Sequence, residues 1–163
     1  MRPTGEYDLN YFRVAKKLQK NQKRLEELLA IVKRYNPKKV LDVGCGIGYF
    51  VEFMRKDGIG ATGIDNAPDL RHFWGKKPYF IRGVASALPF DDGAFDLVFS
   101  SDFFEHVPEE QIDDVANEMK RVSKTVLARV AYEAKLDKIQ ARYHVTNKPK
   151  DFWIKKLSGI ILI

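Results

Sequence analysis

The chain has 163 residues and a formal net charge of +6, with 45% hydrophobic and 31% charged residues. This balance fits one folded domain and excludes a disordered chain. No apolar run approaches the length of a membrane span, and a single cysteine, Cys45, excludes an internal disulfide. We therefore expect one domain over residues 1–163, in a reducing cytoplasm and without membrane contact.

The first predicted element is a helix from Tyr11 to Tyr35. Its apolar residues recur at steps of three and four, and Asn36 and Pro37 end it. The helix begins with a run of lysine and arginine residues. Such a run is usually a solvated face, but it could instead bind a phosphate-rich acceptor such as RNA.

From Lys39 onward, short apolar runs alternate with segments of helical period. This alternation is typical of right-handed βαβ units, so it predicts a three-layer, Rossmann-like α/β sandwich with a mostly parallel sheet. In chain order, the predicted strands are KVLDV, GATGID, PYFIRG, FDLVFS, TVLARVAY and IILI, and the predicted helices are YFVEFMRKDG, a short helix from Pro68 to about Trp74, a helix starting at Pro108, and PKDFWIKKLSG.

The loop after the first predicted strand holds Gly44, Gly46 and Gly48 at alternate positions. In such a sheet, ligands bind beyond the carboxyl ends of the strands, and glycine lets the backbone approach them closely. The spacing differs from the G-x-G-x-x-G pattern of dinucleotide sites. It also lacks the Lys-Ser or Lys-Thr pair of a phosphate loop.

Two acidic residues indicate what the loop binds. Asp42 would repel a pyrophosphate but attract a ligand that carries an ammonium and a sulfonium group. S-adenosylmethionine is such a ligand. Asp65 ends the second predicted strand, where a carboxylate can accept both hydroxyls of a ribose, a device that dinucleotide sites share. Asp42 and the glycine spacing therefore disfavour a nicotinamide dehydrogenase.

Four stretches together resemble the class I S-adenosylmethionine-dependent methyltransferases of the small-molecule type: VLDVGCGIGYF, GIDNAPDL, GVASALPFDDGAFDLVFSSDFFEHV and EMKRVSK. The resemblance implies methyl transfer that leaves S-adenosylhomocysteine. It also implies a cofactor site made of Asp42, Gly44, Cys45, Gly46 and Gly48 around the methionine portion, Asp65 at the ribose, Asn66 and Ala85 at the adenine, and Ser100 and Ser101 below the sulfonium.

The chain departs from this family in two places. Val84 stands where members often carry an aspartate that binds the adenine amino group, and such a lost bond costs roughly 1 kcal/mol. The family sheet usually ends in an antiparallel hairpin. Because this sequence stops at IILI, we expect the partner strand of that hairpin to be absent. Those residues are expected either to pair directly with the fifth strand or to form an edge that a second copy covers as a homodimer.

Methyl transfer needs proximity and orientation, and a base only where the acceptor carries a proton. His106 is the candidate base. Candidate acceptor contacts are Tyr11, Phe104 and His144, and the resemblance implies that the rings of Tyr7, Tyr11 and Phe12 cap the pocket. Residues 1–36 would then form a helical cap on a core over residues 37–163.

No metal is expected, because Asp102, Glu105 and His106 lie on one loop without a fourth ligand or a recognised spacing. The leading hypothesis is thus a methyltransferase with a small-molecule acceptor. The alternatives are a non-catalytic module of the same fold that a partner chain completes, and an RNA methyltransferase that uses the basic helix.

Overall fold

The computed structural model describes residues 11–12, 16, 20–132 and 143–163. Tyr7 and two residues of the basic run, Arg13 and Lys17, lie outside them. The helices are α1 (Gln22–Lys33), α2 (Tyr49–Lys56), α3 (Arg71–Trp74), α4 (Ile112–Val122) and α5 (Lys150–Lys156), and the strands are β1 (Lys39–Val43), β2 (Gly60–Asp65), β3 (Phe80–Arg82), β4 (Leu97–Ser101), β5 (Val126–Arg129) and β6 (Ile161–Leu162).

The six strands form one sheet in the order β3-β2-β1-β4-β5-β6, and every pairing between them is parallel. The predicted α/β class with a mostly parallel sheet is confirmed. Chain order runs outward from β1 in one direction and from β4 in the other. The carboxyl ends of these two strands therefore flank the crevice where such sheets bind ligands.

Helices cover both faces of the sheet and bury a separate apolar cluster on each. On one face, the buried side of α1 and the residues of α2 pack with Val40, Phe99 and Trp74. On the other face, α4 and α5 pack with Leu41, Val98 and Trp153. None of the described helices is long and apolar enough to cross a membrane.

The N-terminal helix does not run unbroken from Tyr11 to Tyr35, as the periodicity predicts. Residues 11, 12 and 16 are helical, but the chain turns at Lys20 and α1 begins at Gln22. Asn21 has an extended backbone, and its side-chain oxygen accepts a hydrogen bond from the Arg24 amide at 3.1 Å. The break is thus a capped helix start, for which asparagine is well suited because its side chain satisfies an amide that has no intrahelical partner.

The structure confirms the expectation that IILI pairs directly with the fifth strand. β6 pairs in parallel with β5, with Ile161 opposite Leu127 and Leu162 opposite Ala128. The Ile163 amide adds a bond of 3.0 Å to the Ala128 carbonyl. No antiparallel strand occurs among the residues that the structure describes, and β6 lies at one edge of the sheet. A homodimer through this edge stays a prediction.

Candidate functional site

The loop that leaves β1 is shaped by left-handed backbone at three alternate glycines. Their φ angles are +74° at Gly44, +55° at Gly46 and +87° at Gly48. The Gly44 and Cys45 amides both donate to the Ile64 carbonyl of β2, at 2.9 and 3.2 Å. Other L-residues rarely adopt such angles. The sequence therefore folds the loop back over the end of β2, with glycine at each left-handed position.

Asp42 lies directly below this loop and is only 4% exposed. No hydrogen bond or ion pair reaches its carboxylate within the described part of the chain. Burial, and then the nearby charge of Asp65, raises the pKa of Asp42 well above its ordinary value. An unpaired buried carboxylate is costly. The position thus favours a cationic partner.

Asp65 stands at the end of β2, two residues beyond Gly63, the partner of Asp42 across the two strands. Its two oxygens accept hydrogen bonds from the amides of Gly46 and Ala67, both at 3.0 Å. Burial raises the pKa of Asp65, while these backbone bonds lower it. The bonds fix the carboxylate against the glycine loop, and each oxygen keeps capacity to accept a further bond.

The remaining predicted cofactor contacts differ in burial and in hydrogen bonding. Cys45 is buried within the loop, and burial raises the pKa of its thiol, so a reactive thiolate is not favoured. Asn66 is exposed and Ala85 is half-buried. Ser100 is fully buried and its hydroxyl has no partner in the described structure, whereas the Ser101 hydroxyl accepts from Arg24 at 2.9 Å. Consecutive strand residues face opposite sides, so only one of the two serines can face a given ligand.

Aromatic side chains that the sequence analysis did not assign to the site surround the glycine loop. The Trp74 indole donates to the Gly46 carbonyl at 2.9 Å and stacks on Phe80, with ring centroids 5.2 Å apart. A Cβ at Gly48 would lie 2.3 Å from the Phe80 ring, and one at Gly44 would lie 2.3 Å from the Phe103 ring. The first and third glycines are thus required by packing as well as by backbone angle. Aromatic composition is the only sequence signal for these rings.

Phe104 requires a correction. It is fully buried and packs against Trp153 in the core, with ring centroids 6.4 Å apart, so it is not placed to contact an acceptor. Its neighbour Phe103 is half-buried and lies against the glycine loop instead. The sequence could not separate two adjacent phenylalanines, because the turn at Phe104–His106 departs from strand alternation.

Asp102 closes the carboxyl end of β4 in a left-handed conformation, with φ of +51°. Its carboxylate forms ion pairs with Arg24 of α1 and Arg129 of β5. These ion pairs join the end of β4 to α1 and β5 and occupy both carboxylate oxygens of Asp102. They therefore argue against Asp102 as a metal ligand.

Beyond Asp102, the chain brings together Glu105, His106 and His144. One potential ligand atom from each lies within 4.8 Å of the other two. The His106 Nδ1 atom is 3.0 Å from the Tyr143 carbonyl, and the two histidine rings are 4.7 Å apart. Burial raises the pKa of Glu105 to about 8 and lowers that of His106 to about 4. His106 is therefore neutral near pH 7, as a general base must be, and its catalytic role stays a prediction.

Tyr11 connects this cluster to the glycine loop. Its ring centroid is 4.7 Å from that of Tyr143 and 6.5 Å from that of His106. Burial raises the pKa of Tyr11 to about 12, and the charges of Glu105 and Asp65 add to the shift. Tyr11 thus lies between the two groups, where a predicted acceptor contact would have to be.

Comparison with known proteins gives a consistent picture. Residues 41–125, which are 85 of the 163, match the family described as a methyltransferase domain. An uncharacterized methyltransferase from Mycobacterium tuberculosis is 38% identical in an alignment of 92 residues that covers 53% of this chain and 35% of that protein. The chain therefore spans only about a third of the length of the curated relatives it matches.

Two solved structures extend the likeness to three dimensions. A SAM-dependent methyltransferase from Archaeoglobus fulgidus is 23% identical, with a TM-score of 0.71 over 93% of this chain and 74% of that one. A SAM-dependent methyltransferase from Methanosarcina mazei is 28% identical, with a TM-score of 0.52 over 58% of this chain and 52% of that one. The family match, the parallel sheet and the glycine loop agree: the chain belongs to the methyltransferase-domain family.

Proposed function

We propose that the chain binds S-adenosylmethionine and transfers its methyl group to a small-molecule acceptor. The observation that carries the proposal is Asp42, a buried carboxylate with no cationic partner among the described residues, two residues before the glycine loop. S-adenosylmethionine carries an ammonium and a sulfonium, so it supplies the positive charge that this position favours. A dinucleotide would instead place a pyrophosphate near Asp42.

The rest of the loop suits a nucleoside. Asp65 is held in place by two backbone amides and can accept hydrogen bonds from ribose hydroxyls. Val84 is 48% exposed, so its methyl groups do not fill the region where an adenine amino group would need a partner. The missing carboxylate at Val84 is thus expected to weaken adenine binding rather than to block it.

The chemistry requires little of the protein. When bound, S-adenosylmethionine supplies a methyl carbon already activated by its sulfonium leaving group. The residues of the chain hold and orient the two reactants, and the rings of Tyr11, Trp74 and Phe103 exclude water from the crevice. A neutral His106 would accept a proton where the acceptor carries one.

An RNA acceptor has less support. Lys16, Lys20 and Lys23 are exposed, but Arg24 is committed to Asp102 and Ser101. A solvated basic face accounts for the three exposed lysines.

Calorimetric titration with S-adenosylmethionine, S-adenosylhomocysteine and NAD tests the proposal. We expect micromolar binding of the first two and none of NAD. Asp42→Asn should weaken S-adenosylmethionine binding by about 100-fold, since losing one partner of a buried charge pair costs about 3 kcal/mol. The same change at the exposed Asp91 is the matched control and should have no effect.

Equal affinity in the Asp42→Asn variant and the wild type would remove Asp42 as the determinant of cofactor binding. Binding of NAD in preference to S-adenosylmethionine would overturn the proposed cofactor.

A further inference from the structure

The cluster of Glu105, His106 and His144 contains two buried polar atoms without partners among the described residues. Glu105 has no exposed surface, and its Oε1 atom accepts from the Ala131 amide at 3.2 Å, but no group in the described part of the chain bonds its Oε2 atom. The same holds for the buried Nδ1 atom of His144. Buried polar atoms in folded proteins nearly always have a partner. Two orphaned atoms in one cluster indicate a missing ligand.

The geometry of the cluster identifies that ligand. The potential ligand atoms of the three side chains, one oxygen and two nitrogens, all lie within 4.8 Å of one another. Ligands about 2.0–2.2 Å from a common metal ion lie within about 4 Å of each other, so only a small adjustment is needed to converge on one centre. A direct hydrogen bond between two of these atoms would require a distance well below 4.8 Å.

His106 is also oriented as a ligand would be. Its Nδ1 atom faces the Tyr143 carbonyl at 3.0 Å, so this nitrogen donates to the carbonyl and a cation would be bound through Nε2. Histidines that bind metals commonly donate their other ring N–H to a backbone carbonyl, which fixes the ring and the tautomer. Tyr143 precedes His144, so one short segment provides both a ligand and the support for another.

We propose that Glu105, His106 and His144 form a binding site for a divalent transition-metal ion of the zinc type. Two imidazole nitrogens and one carboxylate oxygen suit Zn²⁺, and they leave a fourth position for water or for an acceptor. Mg²⁺ and Ca²⁺ prefer oxygen ligands, so the two histidines disfavour them. The sequence analysis excluded a metal because it considered only residues of one loop. In the folded chain, His144, which is distant in the sequence, joins Glu105 and His106 as the third potential ligand.

This site goes beyond the proposed methyl transfer and does not depend on it. The ring of Tyr11 lies 6.5 Å from that of His106, so the site adjoins the region proposed for the acceptor. A cation bound to His106 would exclude that residue as the general base. The two roles of His106 are therefore alternatives, and metal binding decides between them.

The test is titration of the chelator-treated, full-length chain with CoCl₂ and ZnCl₂, without S-adenosylmethionine. Co²⁺ should give the visible absorption bands of a four-coordinate site, and Zn²⁺ should displace it with an affinity of micromolar or tighter. His144→Ala and Glu105→Gln should each weaken Co²⁺ binding at least 30-fold. The chain has three histidines, and His72→Ala, at an exposed position on α3, is the matched control and should leave binding unchanged.

Thermal unfolding followed by circular dichroism shows whether each variant is folded, and saturating Zn²⁺ should raise the melting temperature of the wild type but not that of folded His144→Ala. If His144→Ala is unfolded, Glu105→Gln, which keeps size and shape, carries the test. Absence of Co²⁺ bands, or loss of binding in His72→Ala alone, would overturn the site. Calorimetry with S-adenosylmethionine is independent, so failure of the metal site is distinguishable from failure of the cofactor site.

Discussion

The two ends of the crevice are built in different ways. The glycine loop and its carboxylates come from one short part of the chain, in which Gly46 contacts Asp65 and Gly44 contacts Ile64. The rim beyond β4 is assembled from distant segments. Arg24 and Arg129 both reach Asp102, and the segment after the undescribed residues 133–142 returns to Glu105 and His106.

This difference explains what can be inferred from each end. The loop is specified by backbone angles that few residues other than glycine adopt. A short sequence motif is therefore sufficient to predict its role. The rim is specified by contacts between remote side chains, which a single sequence does not reveal. The loop thus indicates the proposed cofactor, whereas the rim is where the features that select an acceptor are expected to lie.

Substitution of the third glycine should break the loop end most severely. Gly48→Ala forces a Cβ against the stacked Phe80 ring at a φ of +87°. Overpacking and left-handed strain together should lower the free energy of unfolding by about 3 kcal/mol. Gly58→Ala is the matched control, because its φ is +90° but nothing lies within 4 Å of its Cβ. It should cost about 1 kcal/mol. Urea unfolding measures both, and equal losses would show that packing against Phe80 is unimportant.

At the rim, the metal-free protein should become less stable as pH rises from 6.5 to 8. Burial raises the pKa of Glu105 from 4.5 to about 8, so its folded form favours the protonated acid and loses stability as pH rises through that interval. His106, whose pKa falls from 6.5 to about 4, has the opposite effect, but only below pH 6.5. Above that pH the decline is uncompensated and amounts to about 2 kcal/mol.

The measurement is urea unfolding at a series of pH values in the presence of a chelator. Glu105→Gln, which removes this ionisable group, should show a smaller decline than the wild type, in which Asp42 also has a raised pKa. A wild-type stability that is flat between pH 6.5 and 8 would show that Glu105 is ionised at neutral pH in the folded chain.

The smallest effect is expected where α1 joins the rim. Arg24→Gln removes one of the two ion pairs of Asp102 and should cost about 1 kcal/mol, less at high salt, because the partners are only partly buried. Lys33→Gln is the control, since the pair that Lys33 forms with Asp57 is more exposed and should contribute little. Chemical unfolding at low and high salt distinguishes them. Equal costs for the two changes would mean that Asp102 does not anchor α1.

The sheet was predicted well from the sequence, because strands and helices differ in the spacing of their apolar residues. All six predicted strands occur, and the helix predicted after Pro108 buries Ile112, Val115, Met119 and Val122. The prediction of a single helix from Tyr11 to Tyr35 was wrong, because Asn21 caps a helix start within that range. Apolar spacing continues across a capped break, so periodicity alone does not detect it.

The candidate site was predictable only where the sequence constrains the backbone. Asp42, Asp65 and the three glycines lie together, as the loop pattern implied. The approach of His144 to Glu105 and the stacking of Trp74 on Phe80 were not predictable, since both depend on how separate elements pack. Likewise, the amino-acid sequence alone does not distinguish buried Phe104 from half-buried Phe103.

The bond between Trp74 and the Gly46 carbonyl gives the protein an intrinsic optical reporter. The chain has two tryptophans, and the second, Trp153, is fully buried in the opposite cluster, away from the loop. A ligand that displaces the glycine loop must alter the environment of the Trp74 indole while leaving that of Trp153 unchanged. Fluorescence of the unlabelled chain should therefore follow cofactor binding in real time, with Trp153 as a constant background.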